Sequence, residues 1–155
     1  MTELKEGLKA PLFKGVDQNG DTISLKDLFG KKLILYFYPH DNTPTCSNQA
    51  CNLRDNYSLL MKNGFHIIGI STDDMKSHKK FEKKFNLPFS LIADTNNSIS
   101  EKYGVWGWKK FMGKEYVGMH RTTFLIDQNG KIKKIIEKPE TKRHAEQILM
   151  VWEEK

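Results

Sequence analysis

The stretch YFYPHDNTPTCSNQACN, residues 36–52, holds both cysteines of a 155-residue chain, Cys46 and Cys51. Thiols serve as nucleophiles, metal ligands or disulfide partners, and their surroundings decide which. Thr43 is a good helix N-cap residue, and Pro44 suits the first helical position because its missing amide hydrogen would find no partner there. A helix begun in this way makes Cys46 its third residue, among unpaired backbone N–H groups at the positive end of the helix dipole. That place favours thiolate over thiol. Cys46 also falls in register with Ala50, Leu53, Tyr57 and Leu60 on one apolar stripe, whereas Cys51 lies off it, beside Arg54, Asp55 and Ser58. In a regular helix five residues rise about 7.5 Å and turn about 140°, which sets the two Cα atoms about 8.6 Å apart. A disulfide needs less than about 7 Å, so a bond between Cys46 and Cys51 requires the helix to unwind. The spacing suits a bond made during turnover better than one that holds the fold. The plainer alternatives are a packed core cysteine at 46 and an inert helix thiol at 51, with resolution left to an external thiol.

The elements that must position these residues follow from the hydrophobic pattern. LILYFY (residues 33–38) and FHIIGIS (residues 65–71) are near-continuous apolar runs, as in strands buried on both faces, and residues 89–93 form a shorter one. Helical spacing predicts helices over about Pro44 to Lys62, Met75 to Phe85, Asn97 to Tyr103 and Thr141 to Glu153. The tetrapeptide DQNG occurs twice, at residues 17–20 and 127–130. Asn-Gly supplies the positive φ angles of tight hairpins, which predicts Leu12 to Val16 paired with Thr22 to Ser24, and Thr123 to Ile126 with Ile132 to Ile136. GVWGWKKFMG, residues 104–113, is broken by glycine and is expected to cover an edge of the fold. Strands alternating with helices give an α/β sandwich with a mainly parallel central sheet and hairpins at its edges. In such sheets the site lies beyond the carboxyl ends of the strands, and Pro39 to Cys46 directly follows one.

Length and composition narrow the function. A 155-residue chain makes one domain, residues 1–155, and buries about 70% of its unfolded surface, so its two cysteines are not needed as staples. No apolar run approaches 18 residues and MTELKEGLKA is no leader, which predicts a soluble, cytoplasmic chain with reduced thiols. The formal charge of +6 is spread over lysines interleaved with apolar residues at 76–84, 109–114 and 131–134. These are solvated faces without a recognition motif, so neither nucleic acid nor membrane is an expected partner. Five histidines accompany the two cysteines, yet a zinc site would want a second short ligand pair. No metal and no cofactor are predicted.

Pro39, Thr43 and Cys46 reproduce the Pro-x-x-x-Thr-x-x-Cys pattern of peroxiredoxins. FYPHDNTPTCSNQACNLRD resembles the bacterioferritin-comigratory-protein (PrxQ-like) branch, in which a second cysteine follows after five residues. GISTDD, LPFSLIADTNNSISEKYGVWG, HRTTFLIDQNGKI and KRHAEQIL are similar to that branch as well, so the likeness spans nearly the whole chain. The resemblance implies a thioredoxin-like fold with added strands and a cysteine-based peroxidase without metal or organic cofactor. It implies Cys46 as peroxidatic and Cys51 as resolving cysteine, joined in an intramolecular disulfide during turnover. Thr43 would hydrogen-bond the peroxide, Pro39 would shield the pocket, and Arg121 would reach in from a neighbouring strand to stabilise the thiolate and the leaving oxygen. Thr45 departs from the glycine that the branch often has before this cysteine, and Gln49 from a frequent acid. Both bear on how readily the helix opens.

The function expected is reduction of hydrogen peroxide and organic hydroperoxides to water and alcohols by a monomer, with thioredoxin or a glutaredoxin-like dithiol as reductant. The alternative is a non-enzymatic redox switch or chaperone-like module built on the same helix opening. A thioredoxin-type oxidoreductase would need Cys-x-x-Cys, which this chain lacks.

Overall fold

Five strands form the central sheet of the computed structural model, which describes residues 2–154. They are β3 (Lys32–Phe37), β4 (Phe65–Ser71), β5 (Ser90–Ala93), β8 (Thr122–Ile126) and β9 (Ile132–Ile136), in the order β5-β4-β3-β8-β9. β3 pairs in parallel with β4, and β4 with β5. β8 runs antiparallel to both of its neighbours, β3 and β9, so it alone opposes the other strands. The sheet is therefore mainly parallel in direction, although its pairings are mixed. Successive residues of β3 point to opposite faces. Ile34 and Tyr36 join one buried cluster, and Leu33, Leu35 and Phe37 join the other.

Helices α1 (Pro44–Asp55), α2 (Tyr57–Lys62), α3 (Met75–Phe85) and α5 (His144–Glu153) supply Ala50, Leu53, Leu60, Phe81 and Ile148 to the Tyr36 face. The opposite face is covered by the N-terminal segment and by α4 (Ser98–Lys102), through Phe13, Leu25, Ile99 and Tyr103. Covering both faces accounts for the continuous apolar runs of β3 and β4, which have no solvent side to mark with polar residues.

Both predicted hairpins form: β1 (Lys14–Val16) pairs with β2 (Thr22–Ser24), and β8 with β9. Their DQNG loops are built alike but not as two-residue turns. Only the glycines, Gly20 and Gly130, have positive φ, at 82° and 79°. In each loop the aspartate side chain accepts from two backbone N–H groups, those of Asn19 and Asp21 and those of Asn129 and Lys131. An aspartate that binds its own turn makes the longer loop stable.

The long helix predicted to run to Lys62 is broken at Asn56 (φ −109°, ψ 14°). The Asn56 side chain donates to the Asn52 carbonyl at 2.8 Å, competing with the backbone for the same acceptor. The segment expected to cover an edge instead forms a hairpin, β6 (Trp106–Phe111) with β7 (Lys114–Met119), turning through Met112 and Gly113, both at positive φ. Trp108, Phe111 and Met112 on it are 70%, 65% and 87% exposed, so its outer part covers nothing.

Candidate active site

β3 delivers the chain to the carboxyl edge of the sheet, and a six-residue loop, Tyr38 to Thr43, leads into α1. Thr43 is the N-cap, but its hydroxyl donates to the His40 carbonyl at 3.3 Å and leaves the first-turn amides free of it. Pro44 has no N–H, and the first helical bond runs from Ser47 N–H to the Thr43 carbonyl at 2.8 Å. The amides of Thr45 and Cys46 therefore find no acceptor among the described residues. They remain available to negative charge at the helix start.

Cys46 lies on the inward stripe, 1% exposed, with Ala50, Leu53 and Leu60 fully buried on the same face. Arg121, in the link between β7 and β8, reaches it: one guanidinium nitrogen donates to Cys46 Sγ at 3.2 Å and the other to Gln49 Oε1 at 2.7 Å. The antiparallel pairing of Phe37 with Thr122 sets this register, placing the start of β8 beside the end of β3. Gln49, one turn after Cys46, is fully buried and holds the planar guanidinium in line. Its Nε2 has no partner among the described residues. Both cysteines are unbonded, and Cys51 is half-buried within the same continuous helix.

Tyr36 lies under the site with its hydroxyl buried and without a hydrogen-bond partner among the described residues. Burial pushes its phenol well above the usual range, and negative charge at Cys46 and Asp41 adds to the effect. Gly69 opposite makes room for the ring, since a Cβ there would lie 2.9 Å from Tyr36 Cζ. On the other flank Lys109 donates to the Met119 carbonyl at 2.6 Å and shares a cavity of about 410 Å³ with Arg121 and His120. Partial burial and the Arg121 charge hold the Lys109 ammonium below its ordinary value, with Cys46 opposing. His144, fully buried at the start of α5, sits between the Thr123 hydroxyl (2.8 Å) and Gln147 Oε1 (2.9 Å).

The structure thus brings Cys46 and Arg121 into direct contact, sets Thr43 at the cap and leaves Pro39 half-buried at the loop's start. Gln49 appeared in the sequence only as a departure from a frequent acid, and its hold on Arg121 came with no local signal. Asp41 and His78, tied together beneath the loop, carried no signal either, because their proximity depends on how α3 packs.

One buried thiol at a helix start and one fixed guanidinium beside it, on a thioredoxin-like sheet, are the parts of a thiol peroxidase. The family model described as AhpC/TSA matches residues 7–135. A putative peroxiredoxin bcp of Coxiella burnetii is 45% identical over 146 residues, covering 94% of this chain and 97% of that one. Peroxiredoxin Bcp of Escherichia coli is 44% identical over 149 residues, 96% of each chain. The solved bacterioferritin comigratory protein of Xanthomonas campestris superposes with a TM-score of 0.88 at 27% identity, covering 96% of this chain and 97% of that one. The chain belongs to the AhpC/TSA family, in its bacterioferritin-comigratory-protein branch of atypical two-cysteine peroxiredoxins.

Proposed function

We propose that Cys46 is the peroxidatic cysteine and that Cys51 resolves it within the same chain. The observation that carries this reading is the 3.2 Å contact from Arg121 to Cys46 Sγ at a helix start whose first amides are free. The cation and the amides stabilise negative charge on sulfur, and later on the departing oxygen. The Cys46 thiolate attacks one peroxide oxygen, the O–O bond breaks, and its electron pair leaves with the other oxygen, which takes a proton to become water or an alcohol. Sulfur is oxidised to the sulfenic acid. Thr43, at the cap, hydrogen-bonds the incoming peroxide, and Pro39 screens the pocket from water.

Cys51 then attacks the sulfenic sulfur, forming the disulfide and releasing water, once α1 has opened enough to bring the thiols together. A dithiol protein, thioredoxin or a glutaredoxin-like donor, takes on the disulfide and restores both thiols. The cycle needs no second chain, since both thiols come from one helix, and the protein works as a monomer in the cytoplasm, where thiols are kept reduced. Repeated NADPH consumption through thioredoxin reductase and thioredoxin, with hydrogen peroxide and alkyl hydroperoxides compared, tests the cycle. A single stoichiometric oxidation without turnover would place the protein with redox switches instead.

A further inference from the structure

One carboxylate fastens the loop before α1 to the neighbouring helix. The Asp41 side chain, 4% exposed, accepts from the Tyr38 hydroxyl at 2.6 Å, the Ser77 hydroxyl at 2.7 Å and His78 Nδ1 at 2.7 Å. Its backbone N–H donates to Asp73 Oδ2 at 2.8 Å, and the Ser71 hydroxyl donates to that same oxygen at 2.6 Å. His78 is fully buried, and its other ring nitrogen, Nε2, lies 3.0 Å from the Ile92 carbonyl oxygen in β5.

Both ring nitrogens of His78 therefore face acceptors. The Tyr38 hydroxyl is also 3.5 Å from Nδ1, but its short bond to Asp41 commits its proton there. Filling both contacts takes two protons, and the pair supplies them either as an imidazolium beside a carboxylate or as a neutral ring that accepts from the Asp41 carboxyl. Either way His78 Nε2 donates to the Ile92 carbonyl, and the ring joins Asp41 to β5. Asp41, Asp73 and His78 are grouped closely enough to suggest metal ligands, yet both His78 nitrogens and both Asp41 oxygens are already engaged in hydrogen bonds.

A buried polar pair is a poor device for stability alone, because the cost of desolvation offsets most of its attraction. It is better suited to selecting one conformation. Asp41 stands midway between Pro39 and Thr43, and Asn42 after it turns back at a φ of 62°. The other side-chain bonds described for residues 39–43 are longer or exposed: Thr43 to His40, Lys84 to Asn42, and a 3.5 Å His40–Asp73 contact.

We propose that the buried Asp41–His78 pair is a positioning device for peroxide reduction, holding the 39–43 loop so that Pro39 and Thr43 stand over Cys46. The inference rests on the roles proposed above for those three residues. His78 acts through Asp41 and touches neither sulfur nor peroxide, so its effect should fall on the peroxide reaction and spare the reactivity that Arg121 confers on the thiol.

The test begins with nitrogen-15 NMR of the full-length reduced protein. His78 Nε2 should carry a proton protected from exchange with solvent by its bond to Ile92; an Nε2 that is unprotonated or exchanges freely overturns the proposal. In His78→Gln, the rate constant for Cys46 oxidation by hydrogen peroxide should fall about tenfold or more, the scale of a displaced reacting group. Alkylation of Cys46 by iodoacetamide should stay within about twofold, because Arg121 is untouched. If His78→Gln only melts at a lower temperature and reduces peroxide at the full rate when folded, the pair is structural and the proposal fails. Should that variant not fold, Tyr38→Phe decides: it keeps the ring, removes one bond to Asp41 and should slow peroxide reduction about fivefold. An unchanged rate there counts against the proposal. Cys46→Ser is measured alongside: an active Cys46→Ser overturns the underlying reading, while an inactive one beside a full-rate His78→Gln overturns the positioning role alone.

Discussion

At the residue scale the proposed reaction depends on one sulfur and the cation beside it. Cys46→Ser keeps nearly the same volume in a position that is 1% exposed, but an alcohol is hardly ionised at neutral pH and is a weak nucleophile. Peroxide turnover should disappear while the thermal melt shifts little, and measurable turnover in this variant would remove Cys46 from the mechanism. Arg121→Ala takes away the donor to Cys46 Sγ and leaves Gln49 Oε1 without its 2.7 Å partner. Peroxide reduction should slow about a hundredfold, with iodoacetamide alkylation slowed in parallel. Arg121→Lys should recover only part of this, because a single ammonium cannot span both acceptors as the guanidinium fork does. Stopped-flow oxidation and alkylation series on both variants check the ordering. Cys46 was legible in the sequence because cap, proline and thiol lie within four consecutive residues. Arg121 was found only through the resemblance of HRTTFLID, since nothing near it points to a sulfur 75 positions earlier. The Asp41–His78 pair was not legible, because both residue types are common on loops and helices and their meeting is a tertiary fact.

At the element scale the proposed Cys46–Cys51 disulfide needs α1 to lose its regular form and return. Its twelve residues carry both cysteines, whose Cα atoms stand about 8.6 Å apart in helical geometry, too far for a disulfide. The break at Asn56 limits what must move. α2 already starts a new helix, and Leu60 anchors it in the core at 0% exposure. Oxidation should strip hydrogen-exchange protection from amides 47–55 and spare 57–62, a boundary that a single helix from Pro44 to Lys62 would not have. Exchange mass spectrometry on reduced and oxidised protein reads this directly, and protection kept throughout α1 would exclude the proposed disulfide. In Cys51→Ser the sulfenic acid at Cys46 should form at the normal rate and persist, so that a second peroxide carries it to sulfinic acid. Intact mass should then show a gain of oxygen, where the wild type shows only the loss of two hydrogens. The helix itself was evident from its apolar stripe, but its division was not. Asparagine at 56 is one of several polar residues on the helix, and only its side-chain bond to the Asn52 carbonyl distinguishes it.

At the scale of the whole molecule, the sheet was legible because strands buried on both faces must be apolar throughout, and β3 and β4 are. The β6–β7 hairpin was not: its outer part has no buried face to impose alternation, and its turn uses Met112 at positive φ, which no turn signal announces. The same distinction between buried and open regions sets how stability depends on pH. Burial pushes His144 down from its ordinary value to about 4, opposed by its hydrogen bond to Gln147 and reinforced by the Arg121 charge. Its folded-state pKa is depressed, so the unfolded chain takes up the proton first as pH falls. The stabilisation is complete above about pH 6.5, the value for a free imidazole, and is lost progressively down to about 4. Over that window the loss amounts to about 3 kcal/mol from this one side chain. His144→Asn keeps a donor for Gln147 but cannot titrate. At pH 7 it should be somewhat less stable than the wild type, through the weakened bond to Thr123. Its urea midpoint should fall less steeply between pH 6.5 and 4, so that the two curves converge or cross, while the carboxylates, common to both proteins, contribute equally. Parallel midpoints across the window would mean that His144 binds its proton alike in the folded and unfolded states, and the acid sensitivity would then belong to other groups.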